Sequence, residues 1–296
     1  MDFLQNSTYD LYKDIQLRTG GEIYLGVVGP VRTGKSTFIK RFMNLLVLPF
    51  MEDENEKERA QDEMPQSAGG KTITTTEPKF IPKEAAHIKL GTDIDVDVRL
   101  IDCVGYMVDG ATGHMEEELE RMVKTPWSVE EIPFTKAAEI GTRKVIKDHS
   151  TIGIVVTCDG SFGELARDNF IDAEQRTITE LQTLGKPFIV LLNSAKPYAE
   201  ETRVLADEIS EKYQVTVMPL NCEQLEREDI NHIMENILYE FPLTMIEFYM
   251  PKWVEMLPYD HKMKQDIIAQ IKLLMENLSN IRDITTDNFM PESEYI

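Results

Sequence analysis

Positive charge is scarce in this sequence. Its 31 lysines and arginines stand against 52 aspartates and glutamates, for a formal net charge of −21 and a pI near 4.7. Such a chain repels phosphate backbones and anionic lipid, which argues against nucleic-acid partners and simple electrostatic membrane binding. The excess acid reads as solubility, with acidic helices expected at Met115–Arg121 and Tyr198–Lys212. Cysteine is equally sparse, at three residues, Cys103, Cys158 and Cys222. Their spacing matches no metal site and an odd count closes no disulfide framework, so buried free thiols in a reducing cytosol are expected. No apolar run reaches the ~18 residues of a transmembrane segment. The start, Met1-Asp2-Phe3-Leu4-Gln5-Asn6, lacks the basic-then-apolar signature of a secretory leader. The expectation is a cytoplasmic protein without repeats.

What the sequence does have is alternation. Apolar runs at Glu22–Gly29, Phe80–Leu90, Asp95–Cys103, Ile152–Cys158, Pro187–Asn193 and Val215–Leu220 predict strands. Helical periodicity predicts helices at Lys35–Val47, Phe134–Lys147, Asp172–Leu184, Ala199–Lys212 and Glu226–Tyr239. Alternation with all-apolar strands implies an α/β fold with a mostly parallel sheet covered by helices on both faces. The short turn Gly91-Thr92-Asp93 makes the second and third strands an antiparallel pair. Met51–Lys71 and Tyr106–Pro133 read as long mobile loops flanking a ligand. After Phe241-Pro242 the alternation stops, leaving one periodic helix near Met263–Leu278. The expected division is an N-terminal segment at 1–20, a nucleotide domain at 21–242, and the start of a second domain at 243–296.

Between the first strand and first helix, residues Gly29 to Ser36 read G-P-V-R-T-G-K-S. Strand, glycine loop and helix are the context a phosphate-binding P-loop requires, and they imply a nucleoside triphosphate with magnesium. Gly29 and Gly34 allow the tight bend. The backbone of Pro30, Val31, Arg32, Thr33, Lys35 and Thr37 is expected to surround the phosphates, helped by the helix dipole. The Lys35 ammonium is expected on the β- and γ-phosphates, and the Ser36 hydroxyl on magnesium.

The rest of the site follows in order. Asp102-Cys103-Val104-Gly105 ends an apolar strand, so Asp102 is expected to hold magnesium and Gly105 to offer its N–H to the γ-phosphate. Thr75 and Thr76, in a threonine-rich stretch, are both candidates to close onto magnesium and the γ-phosphate. Guanine-specific switches carry Asn-Lys-x-Asp after a late strand, whereas here the place reads Asn193-Ser194-Ala195-Lys196-Pro197. Without the paired carboxylate acceptor, selectivity for guanine falls and adenine becomes plausible. Asn193, Ser194 and the segment at Asn221 are expected to line the base pocket. Tyr106 stands where many GTPases carry a water-orienting glutamine. Arg32 and Arg143 are candidates for an internal arginine finger. The alternatives are a GTPase switch that controls partner binding and a scaffold stabilised by nucleotide.

Several stretches together resemble one family. They are Gly20–Gly29 running into the P-loop, Pro65–Thr72, Thr75–Phe80, Asp102–Tyr106, Thr125-Pro126-Trp127 and Ala138–Val145. They are similar to the spore-coat morphogenetic ATPases, the stage IV sporulation protein A family, over at least residues 12–242. The resemblance implies a P-loop domain of the translation-factor-related GTPase lineage that hydrolyses ATP with Mg2+. Lys35 would be the P-loop lysine, Asp102 the magnesium aspartate, and Thr75 and Thr76 the sensor threonines. It also implies ATP-driven self-assembly into a static polymer on the forespore surface in the mother-cell cytosol. Other coat morphogenetic proteins and a small forespore-membrane anchor peptide would be partners, mostly through regions absent from this chain. The family is longer, so this chain is expected to be a piece of it.

Overall fold

The computed structural model describes residues 2–65, 77–89, 95–111, 115–116, 119–243 and 245–284. These fall into two units, Met1–Ile237 and Leu238–Ile296.

The first unit opens with helix α1 (Asp2–Thr19) and strand β1 (Glu22–Val28). Tyr12 and Ile15 of α1 are buried, and the Tyr12 hydroxyl donates to Asn231 Oδ1 at 2.8 Å. Helices α2 (Lys35–Phe42) and α3 (Glu54–Asp62) follow, then strands β2 (Lys79–Lys89) and β3 (Asp95–Asp102). Next come the short strands β4 (Met115–Glu116), β5 (Leu119–Glu120), β6 (Met122–Thr125) and β7 (Ser128–Pro133). The chain continues through α4 (Phe134–Lys144), β8 (Ile152–Cys158), α5 (Ile171–Leu184), β9 (Phe188–Asn193), α6 (Glu200–Tyr213) and β10 (Val217–Leu220). Helix α7 (Arg227–Tyr239) ends this order.

Six strands make the main sheet, in the order β10-β9-β8-β1-β3-β2. All neighbours are parallel except β2 and β3, which pair antiparallel as expected. The expected turn at Gly91–Asp93 lies outside the described residues. Every residue of β8 and β9 is buried, which requires cover on both faces of the sheet. Val28, Ile101, Val155, Ile178, Leu181 and Val190 lie in one continuous core. The chain leaves β1 toward β3 on one side and reaches β8 on the other. Strand order therefore reverses beside β1, and in an open α/β sheet the crevice there, at the carboxyl ends of the strands, is where ligands sit.

Three expectations need correction. Met51–Lys71 is not all loop, because α3 fills Glu54–Asp62. Asp53 caps it, accepting from the N–H groups of Asn55 and Glu56 at 2.8 and 3.1 Å. Only Ala60 is buried, so helix-forming charged residues and a cap make this helix without any apolar stripe. Met115–Arg121 is not an acidic helix: β4 and β5 pair antiparallel there. Nor is Tyr106–Pro133 all loop, since β6 pairs with β7 as a second ribbon. In addition, the helices expected to run to Val47 and Lys147 finish as π-helical turns at Met43–Val47 and Val145–His149.

The second unit contains α8 (Lys252–Glu255) and α9 (Lys262–Asn277). Its ends are tied where Leu243 N–H donates to Ser279 O at 2.9 Å and Ile281 N–H to Phe241 O at 3.1 Å. Arg282 pairs with the buried Glu240 carboxylate at 3.1 Å.

Candidate nucleotide site

The carboxyl ends of β1 and β3 bring the predicted phosphate and metal residues together. Gly29 follows β1 with φ +131, and a Cβ there would lie 2.4 Å from Val156 O. Gly34 precedes α2 with φ +100, and a Cβ would meet Asn193 Nδ2 at 2.6 Å. Both therefore need glycine. Arg32 adopts φ +65, unusual for a residue with a side chain.

Lys35 is buried, and its ammonium donates to Pro30 O at 2.5 Å and Gly29 O at 3.4 Å. An ammonium has three donors, so one remains for an anion. Ser36 Oγ donates to Asp102 Oδ2 at 2.8 Å, joining the start of α2 to the end of β3. Asp102 Oδ1 is buried with no hydrogen-bond partner among the described residues. Burial raises the Asp102 pKa, opposed first by the Ser36 hydrogen bond and then by the Lys35 charge. Burial likewise lowers that of Lys35, opposed by Cys103 and Asp102. A buried carboxylate oxygen lacking a partner beside a hydroxyl fits a small oxygen-seeking cation such as magnesium.

The Asp102–Tyr106 segment lies directly on the P-loop. Val31 N–H donates to Tyr106 O at 2.9 Å and Tyr106 N–H to Gly29 O at 3.3 Å. A Cβ on Gly105 would fall 2.1 Å from Gly29 O and 2.7 Å from Lys35 Nζ. Two expectations change here. Pro30 has no N–H and the Val31 N–H is spent on Tyr106, so both residues shape the loop, and anion-facing donors must come from later positions. Thr33 is fully buried and its hydroxyl donates to Pro30 O at 3.0 Å, so its side chain braces the loop.

Where the base was expected, side chains tie the loops to one another. Asn193 is buried, and its amide bridges two loops. Nδ2 donates to Thr33 O at 3.0 Å, and Oδ1 accepts from Cys222 N–H at 3.0 Å. Ser194 is fully buried with its hydroxyl between Thr202 and the Lys196 N–H, so its side chain braces the loop. Asn221 Oδ1 accepts from Glu223 N–H at 2.9 Å, closing its own turn. Ser161 and Asp159, which sequence reading missed, support the same loop. Ser161 Oγ accepts from Ala195 N–H at 2.8 Å, and Asp159 Oδ1 accepts from Ser161 N–H at 2.8 Å. The signal available for them was Asp-Gly-Ser directly after an apolar strand. Lys196, exposed, occupies the fourth place counted from Asn193, where guanine readers carry their aspartate.

Arg143 lies on α4 with its Nε 2.6 Å from Glu180 on α5. Thr75 and Thr76 lie outside the described residues. Among those described, no cluster of three or more His, Cys, Asp or Glu could hold a metal, and no helix is long and apolar enough to cross a membrane.

Comparison with known proteins matches residues 6–242 to the ATPase domain of stage IV sporulation protein A and residues 243–296 to its middle domain. Three curated proteins carry that name. The one from Clostridioides difficile (strain 630) is 53% identical over 275 residues, covering 93% of this chain and 56% of the relative. Those from Bacillus subtilis (strain 168) and Bacillus anthracis are 50% and 48% identical with the same coverage. The chain thus spans about half the length of the curated relatives it matches. A solved SsGBP variant aligns at a TM-score of 0.40 and 14% identity, covering 79% of this chain and 61% of that one, a likeness too slight to carry an argument.

Proposed function

We propose, from the premise that this chain belongs to the stage IV sporulation protein A family, that it binds ATP with Mg2+ at the carboxyl end of its sheet and hydrolyses it to ADP and phosphate. One observation carries this reading. Lys35, Ser36 and Asp102 converge beside a glycine loop, and an Asp102 oxygen is buried there without a partner among the described residues. Lys35 would neutralise charge on the β- and γ-phosphates, and Ser36 and Asp102 would hold the cation. Gly105 would present its N–H to the γ-phosphate, with Thr75 and Thr76 as sensors. The cation would draw off the charge that develops during phosphoryl transfer. The same reading divides the chain at 242/243 into the ATPase domain, preceded by the segment 1–20, and the start of a middle domain.

In the longer protein, hydrolysis would drive self-assembly into a static shell at the forespore surface, the base on which the spore coat assembles. Partners would be further copies, other coat morphogenetic proteins and a small membrane anchor peptide. The test is whether phosphate release and assembly of the full-length protein rise together with ATP. Assembly that proceeds equally without hydrolysable ATP would refute the link.

Two further results are expected. Asp102→Ala should still bind ATP but turn it over roughly 10²-fold more slowly or worse, and chelating the metal should do the same to the unaltered protein. Comparable phosphate release with and without magnesium would count against the assignment. Lys196→Asp should move preference toward GTP by about tenfold or more, because a carboxylate there restores the paired acceptor for guanine. Competition binding with ATP and GTP measures it. A clear GTP preference in the unaltered protein would instead favour the switch reading.

A further inference from the structure

Tyr106 is fastened on two sides. Its backbone bridges to the P-loop through Val31 and Gly29. Its side chain is buried among Val31, Phe170 and Ala173. There the phenol donates to Glu180 Oε2 on α5. The other Glu180 oxygen accepts from Arg143 Nε of α4 at 2.6 Å. Arg176, one helical turn before Glu180, lies 5.5 Å over the Tyr106 ring and pairs with Glu139 of α4 at 2.9 Å. Burial and the Glu180 charge raise the phenol pKa well above the ordinary tyrosine range, so it stays a donor at working pH.

Geometry gives this arrangement a use. Gly105 lies against Gly29 O and Lys35 Nζ with no room for a methyl group. Two backbone hydrogen bonds at neighbouring positions leave a segment free to tilt about the line joining them. A third attachment off that line, the phenol on Glu180, removes the tilt.

We propose that Glu180 is a positioning residue for hydrolysis: through the Tyr106 hydroxyl it fixes where Gly105 meets the transferred phosphate. The inference rests on the ATPase reading. The side chain that replaces a water-orienting glutamine works from outside the site, by holding the backbone still. Misplacement of about 1 Å in a reacting geometry can cost on the order of 10² in rate.

The experiment measures kcat per titrated nucleotide site, ATP affinity and backbone hydrogen exchange over residues 103–108 in the full chain. Tyr106→Phe and Glu180→Ala should each lower kcat about tenfold, leave the ATP Kd within about twofold, and speed exchange at Gly105 and Tyr106. Glu180→Gln, which keeps an acceptor for the phenol, should recover most of the rate. The double variant Tyr106→Phe/Glu180→Ala should be no slower than the worse single variant, since both break one link. Unaltered kcat in Tyr106→Phe, or effects that multiply in the double variant, would overturn the inference. A fall in melting temperature with kcat per site unchanged would mark the link as structural only and overturn it too. An unaltered protein that releases no phosphate from ATP would refute the ATPase reading itself, a distinct outcome.

Discussion

Lys35→Ala is expected to reduce ATP turnover by roughly 10²–10³-fold, the scale seen when a single preorganised donor to developing charge is removed. The ammonium is buried and held at the loop by Pro30 O and Gly29 O. It would meet the γ-phosphate without reorganising, which is why its loss should fall on the chemical step as well as on affinity. Arginine should not rescue it. A planar guanidinium cannot take the place of a compact ammonium between two carbonyls. Steady-state phosphate release on a variant with an unaltered circular dichroism spectrum measures the effect. Turnover within a few-fold of the unaltered protein would remove Lys35 from the site.

The second large effect concerns Gly105→Ala. The residue has φ +93, a region L side chains rarely adopt, and the added methyl would meet the Gly29 carbonyl at 2.1 Å and the Lys35 ammonium at 2.7 Å. Neither neighbour can give way easily: one is backbone, and the other is a buried charge already bonded. The cost in stability should be on the order of 2–4 kcal/mol, combining backbone strain with a clash that shifts the segment. That is enough to lower the melting temperature by several degrees in a domain of this size. Surviving folded protein should also lose phosphate release, because the shift separates Asp102–Tyr106 from the P-loop. A variant as stable and active as the original would show that this close approach is not maintained in solution.

How far the sequence disclosed this depended on the kind of signal. The main strands and helices were readable because β8 and β9 are apolar along their length and α5, α6 and α7 carry apolar positions at helical spacing. The residues expected on phosphate and metal could be named because they form local motifs with fixed neighbours. Helix α3 was hidden, since it buries only Ala60 and declares itself through its cap. The strands β4, β5 and β6 were hidden because they carry too few residues to show alternation, and β7 because its sequence, Ser128–Pro133, does not alternate. Contacts made by tertiary packing escaped notice. No local pattern shows that Glu180 meets Tyr106 across 74 positions, or that Asn193 is spent between Thr33 and Cys222. Asn193 was expected beside the base, and its amide is taken up by Thr33 and Cys222.

That amide has a further consequence. One side chain serves as a rivet through three layers, the phosphate loop, the end of β9 and the turn after β10. Under the proposed function, a base that seats poorly would strain the rivet, and the strain would arrive at Thr33 and thus beside Lys35. Discrimination between purines should then register in how fast the phosphate leaves as well as in how tightly the nucleotide holds. Comparing kcat and KM for ATP and GTP on the same preparation would reveal it, and a difference confined to KM would mean the rivet transmits nothing.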